Sequence, residues 1–308
     1  MAATVFIDGA VGTTGLEIAD RLAGRSEFIL VTLDEARRKD TAARREALNA
    51  ADFAILCLPD DAAREAVALI DPASKVRVID ASSAHRVAEA WTFGFPELVG
   101  RETVALAARV SNPGCYSTGF IALVAPLVRA GLLPADWPYT CNAVSGYSGG
   151  GKSLIARFED DTDIAWRGYA LGMGHKHVPE MRERSGLTRD PLFSPAVIPA
   201  YRGMVVEVPL PLSAMAAGTP DALRQSLADF FADSPVVRMG AEPDGELLLR
   251  QSRAPSDAMD LHVFASADGS QVRLVAVLDN LGKGASGAAV QSLNLMAGLD
   301  ETAGLRLP

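Results

Sequence analysis

Two short segments contain the side chains best suited to covalent and proton-transfer chemistry. Cys115 follows Ser111-Asn112-Pro113-Gly114 and precedes an apolar stretch, Phe120 to Val128, that predicts a helix. At the start of a helix, unpaired N–H groups and the macrodipole stabilise a thiolate and can hold an oxyanion. The polar surroundings, which include glycine and proline, therefore favour Cys115 as a nucleophile. Cys57 and Cys141 lie in predicted strands, where free cysteine usually serves as a small buried hydrophobe.

The candidate acid or base is one of two neighbouring histidines. His175 and His177 occupy Gly174-His175-Lys176-His177-Val178-Pro179-Glu180, a segment bounded by glycine and proline. In an extended conformation the two imidazoles would point the same way. A metal site would need further ligands, and no nearby set supplies them. His85 and His262 lack such neighbours. The residues alone leave catalytic, metal-binding and structural roles open for this segment.

A glycine-containing turn near the N-terminus predicts a nucleotide-binding loop. Gly9, Gly12 and Gly15 lie between a short apolar strand, Thr4 to Ile7, and a helical pattern, Leu16 to Ala23. Glycines in such a turn let the backbone approach a pyrophosphate that faces the helix N-terminus. The spacing is GxxGxxG, which is less specific than GxGxxG, so a plain tight turn is the alternative.

The elements that follow favour the nucleotide-binding interpretation. Further strands are predicted at Phe28 to Leu33, Asp52 to Leu58 and Val76 to Ile79, and a helix capped by Asp60 runs to Ile70. Strands that alternate with helices indicate βαβ units and a parallel sheet. The N-terminal part is therefore predicted to be an α/β domain of the Rossmann type, with a doubly wound parallel sheet.

The residues after the second strand disagree about the dinucleotide. Asp34 stands where an acid commonly binds the adenosine ribose of NAD. Arg37, Arg38 and Lys39 follow it and would instead attract the additional phosphate of NADP. Sequence spacing alone leaves both choices open.

Residues 146–153 read GYSGGGKS, which matches the phosphate-binding loop of nucleoside triphosphatases. That loop needs a parallel α/β sheet downstream. The sequence instead predicts strands with few helices between them, with a hairpin turn at Asp268-Gly269-Ser270. One clear helix begins after the predicted cap Thr219, with Pro220 in its first turn. The predicted strands are Met204 to Leu210, Glu246 to Gln251, Leu261 to Ala265 and Gln271 to Leu278. We therefore expect no ATP site at Lys152.

Composition restricts the class of protein further. The 308 residues carry a formal net charge of −9, with 49 % hydrophobic and 22 % charged residues, which is typical of a globular protein and unlike a general nucleic-acid binder. No signal peptide is evident, and the longest lipid-like run, Gly119 to Val128, is too short to span a bilayer. Three cysteines, an odd number, suit a reducing cytoplasm.

Taken together, the motifs resemble those of the N-acetyl-gamma-glutamyl-phosphate reductases, in their shorter form, from about residue 4 to residue 296. The resemblance depends on the glycine loop and on Asp80-Ala81-Ser82-Ser83-Ala84-His85-Arg86, Phe93-Gly94-Phe95-Pro96-Glu97, the Cys115 segment, the 146–152 loop, the His-Lys-His segment and Asp279-Asn280-Leu281-Gly282-Lys283-Gly284-Ala285. The sequence departs from the longer form in one respect. That form has an acid after the Asp-x-Ser pair, whereas Ala84 and His85 precede Arg86 here. A catalytic duty is therefore not carried over to this loop, which is expected to line the cofactor.

The resemblance implies a function and a set of site residues. It implies NADPH-dependent reduction of an acyl phosphate in arginine biosynthesis, through a thioester on Cys115, with His177 by preference, or His175, moving the proton. Cofactor contacts are expected from Gly9, Gly12, Thr13, Thr14, Gly15, Arg37, Arg38, Ser82, Ser83 and Asn280. Substrate contacts are expected from Ser145, Gly146, Glu180 and Arg202. A surface position is the alternative for Arg202.

The expected architecture has two domains. An NADP-binding domain, residues 1–113, is completed by a C-terminal helix, residues 284–308, and residues 114–283 form an α+β catalytic and oligomerisation domain with a mixed, mostly antiparallel sheet. A homodimer or homotetramer in the cytoplasm is expected. The rival interpretations are another acyl-phosphate reductase, acting on an aspartyl or aminoadipyl phosphate, and a non-catalytic NADP-binding regulator.

Overall fold

The computed structural model describes residues 2–308, which form two compact units. The first contains the chain up to Gly114 together with Ala285–Leu305, and the second contains Cys115–Gly284 together with Arg306–Pro308. Each unit has a sheet of its own. Within these described residues, no helix is both long and apolar enough to cross a membrane.

The first unit is built from short strands that alternate with helices. Its elements up to Gly114 are β1 (Ala3–Asp8), α1 (Thr13–Leu22), β2 (Phe28–Val31), α2 (Thr41–Ala50), β3 (Phe53–Leu56), α3 (Asp60–Ala68), β4 (Arg77–Asp80), β5 (Thr92–Phe93), α4 (Pro96–Val99), α5 (Arg101–Leu106) and β6 (Arg109–Ser111). All six strands are parallel, in the order β2-β1-β3-β4-β6-β5. This confirms the predicted doubly wound sheet, whose order reverses direction between β1 and β3, the position where such sheets bind ligands.

The alternation of side chains along β1 explains why both faces of this sheet are covered. Val5 and Ile7 belong to one apolar cluster, which includes Leu293 from the C-terminal part of the chain. Phe6 points into a second cluster that includes Leu48 of α2. Successive strand residues face opposite sides, so a strand that is apolar at every position needs helices on both faces.

The second unit has a seven-stranded mixed sheet. Its elements are α6 (Cys115–Arg129), β7 (Thr140–Gly146), α7 (Gly151–Asp160), β8 (Arg167–Gly168), α8 (Val178–Arg184), β9 (Leu192–Ile198), β10 (Met204–Leu210), α9 (Pro220–Phe230), β11 (Val237–Met239), β12 (Met259–Ala265) and β13 (Val272–Leu278). The strand order is β11-β12-β13-β10-β7-β9-β8, and only the β7–β9 and β11–β12 pairs are parallel. The predicted mixed sheet is confirmed, as are the cap Thr219 of α9 and the β12–β13 hairpin.

Helix α6 packs against this sheet. Every residue from Tyr116 to Leu127 is buried. Gly119 permits the close approach, because a Cβ atom there would lie 2.8 Å from a Val206 methyl group. A helix that is apolar on all sides belongs in a core, and this one fixes the position of its first residue, Cys115.

Three local predictions are wrong. Glu246 to Gln251 forms no strand; Leu247 and Leu249 instead lie across the open face of the sheet, beside Val205 and Val275. Asp60 does not cap α3, because Pro59 holds the cap position and the Asp60 carboxylate accepts hydrogen bonds from Ser83. The C-terminal helix, α10, spans only Gly287–Met296 and follows a π-helical turn, Gly282–Ser286.

The burial of α6 predicts a large difference between two leucines of the second unit. Leu123 is fully buried, whereas Leu171 is 83 % exposed. We expect Leu123→Ala to lower the free energy of unfolding by about 2–5 kcal/mol, because it leaves a cavity in a packed core. The matched change Leu171→Ala should cost less than about 0.5 kcal/mol. Urea unfolding of both variants measures the difference, and equal stabilities would contradict the assigned burial.

Candidate active site

The predicted nucleophile is the first residue of a long helix. Cys115 begins α6, as expected, and its side chain is half-buried. Gly284, in the π-helical turn, packs directly against it, since a Cβ atom at Gly284 would lie 3.0 Å from the Cys115 Cβ. Helix N-termini favour an anionic sulfur through their dipole and N–H groups. The arrangement therefore suits a reactive thiolate.

Aromatic side chains connect the start of α6 with the histidine segment. The ring of Tyr116 lies 6.2 Å from that of His175, 5.9 Å from that of His177 and 5.2 Å from that of Phe193, measured between centroids. Its hydroxyl donates a hydrogen bond to the Ala196 carbonyl oxygen at 2.8 Å. The residue that follows Cys115 is thus held between both histidines and β9.

The two histidines are close together, and the segment that contains them is not extended. His177 has helical backbone angles and precedes α8, whose second residue is Pro179. Its backbone N–H donates to Nδ1 of His175 at 3.1 Å, and the two rings lie 4.6 Å apart. Because Nδ1 of His175 accepts this bond, the proton of the neutral imidazole resides on Nε2. His177 is buried and His175 is half-exposed.

A tyrosine that the sequence analysis did not identify joins this group. Tyr169 packs its ring edge against His175, 5.5 Å away between centroids. The hydroxyl groups of Tyr169 and Ser145 lie close enough to that of Tyr116 to influence its pKa. Burial raises the pKa of Tyr169 to about 12 and also raises that of Tyr116 well above its usual value, and the nearby Cys115 contributes to both shifts. Both phenols therefore stay neutral near pH 7.

Among the predicted substrate residues, three lie in buried positions of the second unit. Ser145 and Gly146 end β7, and Ser145 reaches Tyr116 as described. Glu180 is 1 % exposed on α8. The structure brings Ser145 to the cysteine and histidine group through Tyr116.

Arg202 is not the solvated surface arginine that was the alternative for it. Its side chain is 12 % exposed, and Nη1 lies 3.0 Å from Oδ2 of the fully buried Asp279. The neighbouring Asn280 is also engaged within this unit: its amide donates to the Ser148 hydroxyl and its carbonyl accepts from the Gly203 N–H, both at 2.9 Å. Both side chains therefore fasten the 200–203 segment to the end of β13.

The segment that matches a phosphate-binding loop directs its first three backbone N–H groups at residues 200–203. The N–H groups of Gly146, Tyr147 and Ser148 donate to the carbonyl oxygens of Gly203, Ala200 and Tyr201. A phosphate-binding loop directs these groups at the ligand. Lys152 is exposed on α7. The loop is thus a docking segment for residues 200–203.

The glycine loop of the first unit is a tight turn between β1 and α1. Gly9 has a φ of +89°, and a Cβ atom there would lie 2.3 Å from the Cys57 carbonyl oxygen. A Cβ atom at Gly15 would lie 2.6 Å from the Gly9 carbonyl oxygen. Thr13 and Thr14 begin α1, where helix N–H groups lack intrahelical acceptors. Only glycine fits at positions 9 and 15.

A cavity of about 310 Å³ adjoins this loop and contains cationic side chains. Its lining includes Gly9, Val11, Arg38, Lys39 and Arg44. This combination of a glycine turn, a helix N-terminus and cations fits the adenosine and phosphate groups of NADP(H).

The two arginines predicted to bind the cofactor differ in position. Arg37 is exposed, pairs with Glu46 at 3.3 Å and does not line the cavity, whereas Arg38 does and pairs with Glu35. Asp34 accepts a hydrogen bond from the Arg37 N–H, so its carboxylate stabilises the turn.

Arg44, which the sequence analysis did not propose for the cofactor, forms an ion pair beneath the glycine loop. Its guanidinium lies 2.9 Å from Oδ2 of Asp8, and both side chains are buried. Burial raises the pKa of Asp8, and the hydrogen bond and charge of Arg44 oppose that rise. The pair fixes the end of β1 where the glycine loop begins.

The loop after β4 is tied to buried carboxylates. The Ser82 hydroxyl donates to Asp80, and the Ser83 hydroxyl donates to Asp60. His85, which the sequence analysis set aside, lies with Nδ1 2.6 Å from Asp80 and stacks on Trp91 at 4.2 Å. Asp80 and the loop stand at the carboxyl end of β4, on the side of the sheet where such folds bind ligands.

Comparison with known proteins agrees with this division. Residues 4–107 match the family model described as the NAD binding domain of semialdehyde dehydrogenase, and residues 115–280 match its dimerisation domain. A solved structure of aspartate semialdehyde dehydrogenase II from Vibrio cholerae, complexed with ASA, superposes with a TM-score of 0.69 over 97 % of this chain and 99 % of that one. Its sequence identity is 17 %, so it shows the shared fold alone.

Sequence relatives are much closer. The N-acetyl-gamma-glutamyl-phosphate reductase of Rhizobium meliloti (strain 1021) is 49 % identical over 307 residues, which covers 96 % of this chain and 99 % of the relative. That of Burkholderia lata is 51 % identical over 310 residues, covering 97 % and 98 %. The chain belongs to the semialdehyde dehydrogenase family and, within it, to the N-acetyl-gamma-glutamyl-phosphate reductases.

The engaged backbone of the 146–148 segment predicts that MgATP will not bind. Calorimetry with millimolar MgATP should show no saturable heat, because the segment follows a strand that pairs antiparallel with β10 and its first three N–H groups bind carbonyl oxygens. Lys152→Ala should behave like the unchanged protein. Stoichiometric binding that this substitution removes would contradict the assignment.

Proposed function

We propose that this chain reduces N-acetyl-gamma-glutamyl phosphate to the corresponding semialdehyde with NADPH, releasing phosphate, in arginine biosynthesis. The observation that supports this most is near 50 % identity over almost the whole length with reductases of that name. The cysteine at the start of α6, with two histidines nearby, has the chemistry that the reaction needs.

Cys115 acts as the nucleophile in this proposal. Its thiolate attacks the acyl carbon, the bond from that carbon to the phosphate oxygen breaks, and phosphate leaves with the electron pair. The product of this step is a thioester on Cys115. Bound NADPH supplies the hydride that reduces the acyl group. Cys115 then departs as a thiolate as the aldehyde forms, and the N-terminus of α6 stabilises it again.

His177 or His175 moves the proton. The two imidazoles contact each other and Tyr116, so either lies in the neighbourhood of Cys115. A general acid or base must reach the reacting group within hydrogen-bond distance or through one water molecule. His177 remains our preference, with His175 positioned by the His177 N–H.

The first unit would hold NADPH at the glycine loop. Gly9, Gly12 and Gly15 form a tight turn that packs against the Cys57 carbonyl and on itself, and Thr13 and Thr14 begin the helix that is proposed to face the pyrophosphate. Ser82, Ser83 and Asn280 are retained as proposed contacts. The cavity lined by Arg38, Lys39 and Arg44 is proposed to receive the 2′-phosphate.

The remaining substrate contacts and the assembly are also proposals. Ser145, Gly146, Glu180 and Arg202 are proposed to surround the substrate. The matched dimerisation-domain model supports a homo-oligomer, and we propose a homodimer or homotetramer in the cytoplasm.

The proposed activity is tested by following NADPH oxidation with purified protein. N-acetyl-gamma-glutamyl phosphate should be reduced with a kcat/KM at least about a hundredfold above that for aspartyl phosphate. The reverse preference would assign the chain to another acyl-phosphate reductase. NADPH binding without turnover of either substrate would indicate a non-catalytic regulator.

Cys115→Ser should abolish reduction, with a loss of at least about a thousandfold in kcat. Binding of NADPH, followed by its fluorescence, should stay within about threefold, because the substitution leaves the glycine loop unchanged. Cys141→Ala is the control, since Cys141 is buried in β7 and burial raises its pKa. Near-normal turnover in Cys115→Ser would refute the nucleophile.

Cofactor preference should depend on Arg38 and not on Arg37. Removing a cation that binds phosphate costs about 1.5–3 kcal/mol, so Arg38→Ala should raise the KM for NADPH roughly tenfold to a hundredfold. The KM for NADH should change little. Arg37→Ala is the matched control, because Arg37 does not line the cavity. A wild-type preference for NADH, or equal effects of both substitutions, would contradict the assignment.

A further inference from the structure

The chemistry of the proposed substrate leaves one requirement without an assigned residue. N-acetyl-gamma-glutamyl phosphate carries an α-carboxylate at the opposite end of its acyl chain from the reacting carbon. Arg202 is one of the expected substrate contacts, but its Nη1 already pairs with the buried Asp279 at 3.0 Å. A second cation beside the cysteine and histidine group would meet the requirement better.

Arg167 has this position. It begins the edge strand β8, where its backbone pairs with Val197 of β9, and its side chain is half-buried. The guanidinium lies over the ring of Tyr169, 4.6 Å from the centroid. Arginine stacked on an aromatic face keeps its N–H groups at the edge, where they are available to a planar anion.

The position of Tyr169 relates Arg167 to the reacting cysteine. The ring of Tyr169 packs against that of His175, 5.5 Å away between centroids, and its hydroxyl lies close to that of Tyr116, the residue after Cys115. One tyrosine side chain therefore has the cysteine and histidine group at its hydroxyl end and a guanidinium over its ring.

The charge of Arg167 is not neutralised by a carboxylate of the second unit. Other arginines of this unit form ion pairs: Arg182 with Glu183 and Asp190, Arg224 with Asp221, and Arg238 with Asp260. Across residues 2–308, Arg167 forms no ion pair. A half-buried guanidinium held by an aromatic ring and lacking a carboxylate is suited to an anionic ligand.

We propose that Arg167 binds the α-carboxylate of the acyl phosphate, with the ring of Tyr169 as its platform. The inference rests on the function proposed above. The guanidinium lies over the ring rather than at the hydroxyl, so it suits the distant carboxylate more than the phosphate, which is bonded to the carbon that Cys115 attacks. Arg167 is then a residue that determines specificity for a substrate with an amino-acid carboxylate.

The test compares two substrates with three variants. The substrates are N-acetyl-gamma-glutamyl phosphate and gamma-acetamidobutyryl phosphate, which lacks only the α-carboxylate. The variants are Arg167→Gln, Arg167→Lys, and the control Arg189→Gln. Arg189 is exposed. The N–H of its neighbour Thr188 donates to the Ala135 carbonyl oxygen, beyond the C-terminal end of α6, whereas Cys115 lies at the opposite end of that helix.

We expect Arg167→Gln to raise the KM for the complete substrate roughly tenfold to a hundredfold, as for a lost charge-assisted contact. The KM for the substrate without the carboxylate, and that for NADPH, should stay within about twofold. The KM of Arg167→Lys for the complete substrate should lie between those of the unchanged protein and Arg167→Gln, because lysine keeps the charge and loses the planar guanidinium. Arg189→Gln should match the unchanged protein on both substrates.

Two results would overturn the proposal. One is an unchanged KM for the complete substrate in Arg167→Gln. The other is an equal loss on both substrates, which would indicate a phosphate contact or a structural role through Tyr169. If the unchanged protein failed to reduce N-acetyl-gamma-glutamyl phosphate at all, the proposed function itself would fall, and that outcome is visible before any variant is made.

Discussion

The burial of helix α6 from Tyr116 to Leu127 is the constraint on which the proposed chemistry depends. From Tyr116 to Leu127 this helix has no exposed residue. A helix that packs on all sides cannot rotate or slide without opening voids in a close-packed interior. Its first residue is therefore fixed in space, and that residue is Cys115.

The same packing determines the positions of the residues around Cys115. Tyr116 extends from the first turn to the Ala196 carbonyl, and Tyr169 and the histidine rings arrange themselves around it. On another side, the π-helical turn after β13 approaches so closely that Gly284 leaves no room for a side chain. Local departures from regular helix often occur at functional sites, and this one brings backbone into contact with Cys115, the proposed nucleophile.

The sequence predicted those features that local rules determine. The start of α6 follows from a proline, a glycine and an apolar run, and the parallel sheet follows from alternating strands and helices. Predictions from local rules failed where contacts with residues distant in the sequence determine the structure. Nothing within Glu246–Gln251 reveals that the segment covers a sheet face, and the roles of Arg37 and Arg38 depend on which glutamate each one meets. For the histidines, Pro179 followed by Glu180 was an available signal for a helix start.

The different environments of the three cysteines have a consequence for oxidative damage. Burial, together with the charges of Asp80 and Asp8, raises the pKa of the Cys57 thiol to about 12, and burial raises that of Cys141 as well. Oxidants such as peroxide attack thiolates. The raised pKa values leave Cys57 and Cys141 almost entirely as unreactive thiols near pH 7. Since the proposed chemistry needs Cys115 as a thiolate, mild oxidation should inactivate the protein by converting Cys115 to a sulfenic acid, which a thiol reductant can reverse. The two core cysteines should stay unmodified.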